Sequence, residues 1–418
     1  MRTQPPEVEA RAVETSQPPE TGRWTPALPP RSAGRLVAPL VVAIPARNER
    51  ERIGAALTAL AAQHGETSRS LHVIVLANNC TDDTAARARR VLAGLNLNAE
   101  VIEEDFPAEH AHVGRARGRT LELAAARLGG HPQGLLASTD ADTVPAPDWA
   151  AQMRLALHGT GLDSPGTYAS DAHGSPVWGG ADLVGGRILT LPGERDELPA
   201  GLRRLQLQDA AYHLLAARLS SLLDPDPSDP WLRHHQHFGA NLGLRLSAWQ
   251  QLGAWPQVRC LEDVALVQAV RRLDLRVRHC PRVRVWTSAR DCGRVETGLS
   301  SQLREWRDLQ AGGGCWTVPG AAELRATAEA GAVLLAARYT PVSGADLGRL
   351  EQRWKVQPGA LAAALMAPTL GLAREWALEA RHAAGRWADC FPAVPLGAAV
   401  QELRSLITDL ERAEPVRI

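Results

Sequence analysis

The sequence has no excess of charge of either sign. It contains 46 Lys and Arg residues and 46 Asp and Glu residues, so its formal net charge at neutral pH is zero. Non-specific binding of nucleic acid needs a surplus of positive charge to attract phosphates. We therefore do not expect a nucleic-acid partner. Lysine is almost absent, since Lys355 is the only one in a chain whose other basic residues are arginine, and we draw no function from that bias.

Paired cysteines and long apolar runs are also lacking. The six cysteines are scattered and form no Cys-x-x-Cys pair that would indicate a zinc site or a redox dithiol. No run of about 18 apolar residues is present to span a bilayer, and the N-terminus lacks the apolar stretch of a signal peptide. These absences disfavour secreted and integral-membrane proteins, and we expect a cytoplasmic protein with reduced thiols.

What the sequence does contain is an alternation of strand and helix patterns. Residues 1–35 are rich in proline and polar residues and predict a disordered tail. From residue 36 to about 300, apolar runs alternate with amphipathic segments, and Asn48 with Glu51 resembles a helix-start box. This predicts an α/β fold, a mostly parallel sheet flanked by helices. Residues 301–418 are rich in Ala, Leu and Arg with helical periodicity, and predict a helical C-terminal region.

Ligands of parallel sheets bind outside the carboxyl ends of the strands, so polar segments that follow a predicted strand are candidate sites. Thr139-Asp140-Ala141-Asp142 follows an apolar strand directly. Carboxylates at positions i and i+2 can share one Mg²⁺ or Mn²⁺, which usually also binds a substrate diphosphate. A solvated turn has the same composition. The position at a strand end favours the metal site.

The turns after the first two strands are polar as well. Pro45-Ala46-Arg47-Asn48-Glu49 places polar side chains where a nucleotide base or ribose would lie, although Asn48 and Glu49 are also common helix-capping residues. After the second strand, capping explains Thr81 and Asp82 of the segment 78–84. It does not explain the adjacent Asn78 and Asn79.

Two helix starts carry further candidates. In Gly114-Arg115-Ala116-Arg117-Gly118-Arg119, guanidinium groups at a helix N-terminus suit phosphate oxygens, but alternate positions on a helix cannot all face one ligand. Glu262 and Asp263 open another helix, where acidic residues are ordinary partners of the helix dipole. The functional hypothesis makes Asp263 a general base, which needs hydrogen-bond contact with an acceptor hydroxyl.

Two more segments are less specific. Residues 286–294 follow an apolar strand and form either a loop that closes over phosphates or an ordinary surface loop. His234, His235 and His237 suggest a metal site, but no Cys or carboxylate stands at a recognised spacing. Contact of these histidines with a diphosphate or an acceptor is the better hypothesis.

In this order the motifs resemble those of glycosyltransferase family 2, inverting nucleotide-sugar enzymes with the GT-A fold. VVAIPARNERERIGAALTAL is similar to the opening strand, turn and helix of that family, ANNCTDDTAARA to its second turn, and VGRARGRTLELA to its glycine-arginine segment. TDAD matches the DxD motif, and FGANLGLRLSAWQQLGAWP followed by LEDVALVQAVRRL resembles the acceptor side. The resemblance covers about residues 36 to 300.

The resemblance implies roles for seven residues. It implies nucleotide binding by Pro45, Glu49 and Asn78, diphosphate binding by Arg119, ribose or metal binding by Asp140, metal binding by Asp142, and a catalytic base at Asp263. It further implies a nucleotide-sugar donor, Mn²⁺ or Mg²⁺ as cofactor, and transfer of a hexosyltransferase type. The acceptor stays open among a sugar, a small metabolite and a lipid-linked intermediate, and so does a peripheral membrane contact.

Two departures from the family pattern refine this hypothesis. The family commonly has Asp where this chain has Asn78, and because an amide both donates and accepts, the choice among uridine, guanosine and thymidine donors stays open. Processive members carry Gln-x-x-Arg-Trp, whereas residues 302–306 read Gln-Leu-Arg-Glu-Trp. Together with the missing membrane spans, this predicts a non-processive enzyme.

Three other classes compete with this hypothesis. A nucleotide-sugar pyrophosphorylase usually opens with a Gly-rich loop, whereas the first strand here leads into PARNE. A catalytically degenerate scaffold or carbohydrate-binding protein would not need the carboxylates of Asp140, Asp142 and Asp263, which are all present. A dehydrogenase is disfavoured because no Gly-x-Gly-x-x-Gly follows the first strand.

Overall fold

The computed structural model describes residues 38–67, 70–159, 169–170, 176–177, 180–290, 298–340 and 342–413. The predicted tail, residues 1–35, lies outside these ranges, as do residues 291–294 of the predicted phosphate loop. Among the described residues, no helix combines the length and apolar character needed to cross a membrane.

The described strands are, in chain order, β1 (Leu40–Ala46), β2 (Leu71–Asn78), β3 (Asn98–Glu104), β4 (Leu135–Thr139), β5 (Thr143–Pro145), β6 (Ala169–Ser170), β7 (Pro176–Val177), β8 (Leu183–Thr190), β9 (Asn241–Arg245), β10 (Val277–Thr287), β11 (Thr317–Val318) and β12 (Val394–Pro395). The helices are α1 (Ile53–Ala61), α2 (Thr84–Leu92), α3 (Val113–Leu128), α4 (Trp149–His158), α5 (Pro192–Glu197), α6 (Ala200–Leu223), α7 (Leu246–Leu252), α8 (Glu262–Arg272), α9 (Leu299–Ala311), α10 (Ala321–Tyr339), α11 (Gly344–Trp354), α12 (Ala360–Leu365), α13 (Leu370–Ala383), α14 (Trp387–Cys390) and α15 (Leu396–Ala413).

Eight of these strands form one sheet in the order β3-β2-β1-β4-β9-β8-β10-β5. Strands β3, β2, β1 and β4 are parallel to their neighbours, and β8 is parallel to β10. Strand β9 runs antiparallel to both β4 and β8, and β5 runs antiparallel to β10. The predicted fold class, a mostly parallel sheet flanked by helices with a helical C-terminal region, is confirmed.

Helices cover both faces of the sheet because the strands are apolar on both faces. Along β1, Leu40, Val42 and Ile44 belong to the core that includes α1 and α4. The alternate residues Val41 and Ala43 belong to the core that includes α3, α7 and α8. This alternation follows from the two-residue period of a strand, and it places one layer of helices on each side.

The predicted helix-start box at Asn48 is wrong. Helix α1 begins at Ile53, and its N-cap residue, Arg52, makes no side-chain capping bond. Asn48 instead has φ of 56°, in the left-handed region that asparagine tolerates better than most residues. Its side-chain oxygen accepts a hydrogen bond from the backbone N–H of Thr81 at 2.7 Å, so it joins two turns and caps no helix.

The C-terminal helices form one core among themselves and share two others with α6. Helices α10, α11, α12 and α13 pack together through residues that include Leu334, Trp354, Leu361 and Ala377. Helix α6, from the middle of the chain, packs with α15 through Tyr212, Leu219, Leu403 and Ile407. At its start, α6 also shares a small core with α9. The helical C-terminal region is therefore built partly from α6, because that helix supplies an apolar surface that α9 and α15 cover.

A second junction attaches the C-terminal region to the end of α8. The Asp274 carboxylate accepts hydrogen bonds from the backbone N–H groups of Leu370 and Gly371 at 3.0 and 2.8 Å, and thereby satisfies the first turn of α13. Arg272 pairs with Glu375. A Cβ atom added at Gly371 would lie 1.8 Å from the carbonyl oxygen of Arg271, so α13 touches the backbone of α8.

We predict that Gly371→Ala lowers the free energy of unfolding by about 1–3 kcal/mol, because a backbone contact cannot yield as a flexible side chain does. The matched control is Gly348→Ala, inside α11, where an added Cβ would meet nothing within 4 Å. That change should raise the free energy of unfolding by about 0.5–1 kcal/mol, since it only removes freedom from the unfolded chain. Denaturant titration of both variants measures the difference, and equal effects would contradict the close junction.

Candidate functional site

The carboxyl ends of the three central parallel strands lie at one edge of the sheet. In the register of β1 with β2, Ala46 pairs with Ala77, and β4 runs parallel to β1 on the other side. The antiparallel strand β9 begins at the same edge, since Asn241 pairs with Thr139 at the end of β4. Segments distant in sequence therefore meet here, as expected for the ligand edge of such a sheet.

The turns that follow β1 and β2 are bonded to each other. The backbone N–H of Glu49 donates to the Thr84 hydroxyl at 2.8 Å, in addition to the bond between Asn48 and Thr81. Asn79 has φ of 47°, and its side chain exchanges two hydrogen bonds with the backbone of Phe106, after β3. These hydrogen bonds connect the turns after β1 and β2 to each other and to the segment after β3. Together the two turns form one polar surface.

Pro45 and Asn78, both predicted to bind the nucleotide, lie on this surface. Pro45 is compatible with a central strand because β1 pairs with β4 only through Ala43, so the missing N–H at Pro45 breaks no ladder bond on that side. Asn78 ends β2 with 3% of its surface exposed. Its side-chain amide has no hydrogen bond to the described residues, so its donor and acceptor are both available to a ligand.

The two aspartates of the DxD segment have different surroundings. Asp140 is about one-third exposed, and its Oδ1 accepts a hydrogen bond from Arg117 at 2.9 Å. Asp142 is more buried and lies 3.0 Å from the Arg290 guanidinium. Burial, followed by repulsion from Asp140, raises the pKa of Asp142 to about 6 although Arg290 opposes the shift.

Arg290 connects the DxD segment to the first turn. Its guanidinium contacts both carboxylate oxygens of Glu49, with an N···O distance of 2.9 Å to Oε2, and it also reaches Asp142. The backbone before it is anchored by Glu194, which accepts hydrogen bonds from Ser288 and Ala289 at 2.7 Å each. Glu49 and Asp142 therefore share one counter-charge at the sheet edge.

Arg117 and its partner Glu262 are both deeply buried, each with 3% of its surface exposed. Arg117 donates hydrogen bonds to Glu262 Oε1 at 2.8 Å, Ser138 Oγ at 2.7 Å, the Gly239 carbonyl at 2.9 Å and Asp140 Oδ1 at 2.9 Å. Burial alone would lower the pKa of Arg117, but the carboxylates of Asp140 and Glu262 outweigh burial and raise it. The guanidinium is therefore always charged.

Asp263, the predicted base, is held by backbone donors at the start of α8. Its Oδ2 accepts from the N–H of Gly239 and its Oδ1 from the N–H of Val264, each at 2.7 Å. Burial, and then repulsion from Glu262, raises the pKa of Asp263, while Arg117 and the two N–H groups oppose the shift. The carboxylate is thus oriented and more basic than a solvated aspartate.

Arg119, predicted to bind the diphosphate, pairs with Glu104 instead of the aspartates. Its Nε lies 2.9 Å from Glu104 Oε2, and Glu104 pairs in register with Asn78 across β2 and β3. Arg119 therefore lies beside the predicted nucleotide surface. Arg117, which precedes it by two residues in α3, contacts Asp140.

The donor set at the DxD segment fits a hard divalent cation. Asp140 and Asp142 supply two carboxylates at one strand end, and Asp140 Oδ2 makes no hydrogen bond to the described residues. Mg²⁺ and Mn²⁺ are usually held by one or two carboxylates plus water and phosphate oxygens. No cluster of three or more His, Cys, Asp or Glu side chains suited to a metal ion occurs within the described ranges, so the remaining ligands would come from water and substrate.

Comparison with known families gives a match over part of this site. Residues 41–170 match the sequence model of Glycosyl transferase family 2. The family resemblance is confirmed. The matched family 2 segment contains Glu49, Asn78, Asp140 and Asp142, and it ends before Asp263. A comparison with curated protein sequences finds no match.

Several solved structures are similar at low identity. A mannosyltransferase from Pyrobaculum calidifontis in complex with GDP-Man and Mn²⁺ is 17% identical, with a TM-score of 0.39 over 89% of this chain and 83% of that chain. S. aureus TarS 1-349 in complex with UDP is 12% identical, with a TM-score of 0.40 over 91% of this chain and 93% of that chain. M. tuberculosis glucosyl-3-phosphoglycerate synthase, in complex with Mn²⁺, UDP and phosphoglyceric acid, is 17% identical, with a TM-score of 0.34 over 68% and 83%. These similarities are distant, and no activity is inferred from them.

A cluster of histidines lies outside the matched family 2 segment. Its members are His213, His234, His235, His237 and His279. His237 Nδ1 is 3.1 Å from His279 Nε2, and His279 Nδ1 is 2.7 Å from the buried carboxylate of Asp229. His235 stacks on His213 with ring centroids 3.9 Å apart. The predicted contact of residues 234–237 with a substrate stays a prediction.

Burial makes three histidines of this cluster hard to protonate. Burial, assisted by repulsion from neighbouring histidines, lowers the pKa of His234 to about 3, of His235 to about 2 and of His237 to about 3. Asp229 has a lowered pKa because hydrogen bonds from His279 and the charge of Arg278 outweigh its burial. His234, His235 and His237 are therefore uncharged at neutral pH.

Two residues of the candidate site are missing from the sequence predictions. Arg117 lies in the glycine-arginine segment and Arg290 in the predicted phosphate loop, but the sequence distinguishes neither from its neighbours. The available signal for Arg117 was its spacing: Arg117, Leu121 and Ala124 fall on one helix face, and the latter two are buried in the sheet core. For Arg290, which bridges two turns, no local signal exists.

We predict that acid destabilises the fold through the histidine cluster. Between pH 6.5 and about 3, His234, His235 and His237 bind protons in the unfolded chain but stay neutral in the folded protein. Their contribution to the free energy of unfolding is therefore fully present above pH 6.5. It falls as the pH drops, by about 1.4 kcal/mol per pH unit for each histidine that stays neutral. Chemical denaturation at several pH values measures the slope.

The variant His235→Gln should flatten this slope by roughly one histidine's contribution. The exposed His64 provides the control, and His64→Gln should leave the slope as it is. If His235→Gln follows the wild-type slope, the histidine at this position does not stay neutral in the folded protein.

Proposed function

We propose that this protein is a metal-dependent, inverting and non-processive glycosyltransferase that moves a sugar from a nucleoside diphosphate sugar to an acceptor hydroxyl. One observation carries the proposal: the carboxylates of Asp140 and Asp142 lie at the ligand edge of the sheet, and Arg117 links Asp140 to the segment that holds Asp263. A paired metal site and a backbone-held base are the parts that this reaction needs.

The nucleotide would bind across the turns after β1 and β2. The amide of Asn78 would read the base edge, since it is buried and has no hydrogen-bond partner among the described residues. Glu49 and Pro45 would form the opposite wall of the same surface. Arg119 would contact the diphosphate, and Arg290, which pairs with both Glu49 and Asp142, would be a second phosphate-binding group.

The metal would be held by Asp140 and Asp142. Mn²⁺ or Mg²⁺ at this position would supply positive charge to the diphosphate as it leaves. Asp142 has a raised pKa because it is buried beside Asp140 and Glu49, so an added cation would stabilise its charged form.

Asp263 would take the proton from the acceptor hydroxyl. Both of its oxygens accept one backbone hydrogen bond, and each keeps a lone pair that can accept the proton. Its raised pKa brings its basicity toward that needed near neutral pH. Attack on the anomeric carbon from the side opposite the diphosphate inverts the configuration in a single displacement.

The acceptor would lie on the side of residues 231–238, next to Asp263. Phe238 is 38% exposed and directly precedes Gly239, whose N–H binds the Asp263 carboxylate. An exposed aromatic ring beside the base suits a sugar ring or another apolar face. The chemical class of the acceptor, a cytoplasmic location and a peripheral membrane contact stay predictions.

We expect the variant Asp142→Asn to lose metal-dependent release of nucleoside diphosphate by on the order of 100-fold or more, because it removes one of two charged metal ligands. Release is measured with UDP-, GDP- and TDP-sugars in the presence of Mn²⁺ or Mg²⁺. The control is Asp148→Asn, an aspartate at the start of α4 that lies 3.7 Å from Arg284 and outside the site.

Two outcomes would count against the proposal. Turnover by Asp142→Asn at the wild-type rate would remove this residue from the metal site. Absence of metal-dependent binding for all three nucleotide classes in the wild-type protein would favour a catalytically degenerate scaffold or a carbohydrate-binding protein.

For Asp263→Asn we expect turnover to fall by about 10²–10⁴-fold, the usual contribution of a general base. Binding of the metal and the nucleotide should stay within about threefold of wild type, since the amide oxygen can still accept the Gly239 hydrogen bond. Calorimetry and donor turnover separate the two effects. A loss of binding equal to the loss of turnover would show that Asp263 belongs to the donor site.

A further inference from the structure

The guanidinium of Arg117 joins segments that are far apart in the sequence. From α3 it reaches Ser138 on β4, Asp140 after β4, the Gly239 carbonyl before β9 and Glu262 at the start of α8. All three of its nitrogen atoms donate. A planar group with five N–H donors in fixed directions can make these bonds in only a narrow range of positions.

The space for this guanidinium depends on a glycine. A Cβ atom added at Gly239 would lie 2.2 Å from Arg117 Cζ and 2.4 Å from its Nε. Glycine is therefore needed at position 239 to let the guanidinium lie against the backbone, and no positive φ is involved there. Any side chain at this position would displace Arg117.

Gly239 also connects the guanidinium to the proposed base. Its carbonyl accepts a hydrogen bond from Arg117, and its N–H donates to Asp263. Glu262, which Arg117 binds through Nε, directly precedes Asp263. On the opposite side, Arg117 holds Asp140 Oδ1 and leaves Oδ2 free. Arg117 thus contacts Asp140 on the proposed donor side. On the proposed acceptor side it contacts Gly239 and Glu262, which adjoin Asp263.

We propose that Arg117 is a positioning residue that sets the placement of Asp140 on the donor side relative to Asp263 on the acceptor side. This inference rests on the proposed function. Arg117 acts through its neighbours, because only 3% of its surface is exposed and its donors are used by four partners. The two carboxylates keep their relative placement as long as the guanidinium stays against Gly239.

The first test displaces the guanidinium without removing its charge. Gly239→Ala introduces the Cβ overlap described above. The matched control is Gly243→Ala on β9, where an added Cβ would lie 2.3 Å from Sδ of Met153, an uncharged side chain. Arg117→Lys is the companion variant, since lysine keeps the charge but cannot bridge four partners. Thermal melting compares the stability of the variants.

Two quantities are then measured on each folded variant: the affinity for UDP, GDP and TDP with Mn²⁺ by calorimetry, and donor hydrolysis. We expect Gly239→Ala and Arg117→Lys to lose about 10–100-fold in Mn²⁺-dependent nucleotide affinity, the range found when a partner of a metal ligand is removed. Their kcat should fall by on the order of 100-fold. Gly243→Ala should retain wild-type values even if its melting temperature falls as far.

The pH profile supplies a readout that loss of packing does not move. Burial and the charge of Glu262 raise the pKa of Asp263, and the charge of Arg117 opposes them. Replacing Arg117 with a neutral residue therefore raises this pKa further, and the acidic limb of the rate profile should move to higher pH. The double variant Arg117→Met with Glu262→Gln removes both charges, so its acidic limb should return toward wild type.

Wild-type affinity and turnover in Gly239→Ala and Arg117→Lys would overturn the inference, and so would equal losses in Gly243→Ala. If Arg117→Lys does not fold, the double variant, which leaves no unpaired buried charge, takes its place. If wild-type protein binds no nucleotide with Mn²⁺, the proposed function fails by itself. The positioning inference is then decided by ¹³C NMR titration of the Asp263 carboxyl, whose pKa must rise in Arg117→Met and stay constant in Gly243→Ala.

Discussion

The structure around the sheet edge depends on the burial of one positive charge. Taking a guanidinium out of water is costly unless every donor finds an acceptor and a carboxylate compensates the charge. Arg117 meets this demand with two carboxylates, a hydroxyl and a backbone carbonyl. Because these acceptors come from separate elements, the end of β4, the start of β9 and the start of α8 must meet around it.

The sheet makes that meeting possible. Parallel strands end at the same edge, so the polar segments after β1, β2 and β4 are neighbours whatever their separation in sequence. Strand β9 runs in the opposite direction and begins where β4 ends, which brings Gly239 and Asp263 to the same edge. A purely parallel order would have placed the start of β9 at the far side of the sheet.

Elements outside the family 2 segment complete the site. Helix α6 packs through Leu202 against Ala289, next to Arg290, and Glu194 binds the backbone there. Helix α13 holds the opposite end of α8 from Asp263. The C-terminal helices therefore support the loop of Arg290 and the helix of the proposed base, although they contribute no predicted site residue.

Local pattern was sufficient to predict much of the framework. Helices α2 and α3 and strand β4 follow the alternation of strand and helix predicted from the sequence, since apolar periodicity and strand-end polarity are short-range features. The resemblance to glycosyltransferase family 2 followed from motif order. The capping role of Asn48 was mispredicted because a bond to Thr81, 33 residues away, outweighs any local preference.

The choice among similar residues was decided only by the tertiary structure. Arg117 and Arg119 stand two positions apart on one helix, so their side chains point in different directions, and the neighbouring elements determine that one is buried by Gly239 while the other pairs with Glu104. The role of Arg290 likewise depends on Glu49 and Asp142, which are distant in the chain. The sequence determined which elements form and which chemical groups they carry, because these depend on neighbours along the chain. Which charged groups pair with one another depends on distances through space, and only the folded sheet establishes those distances.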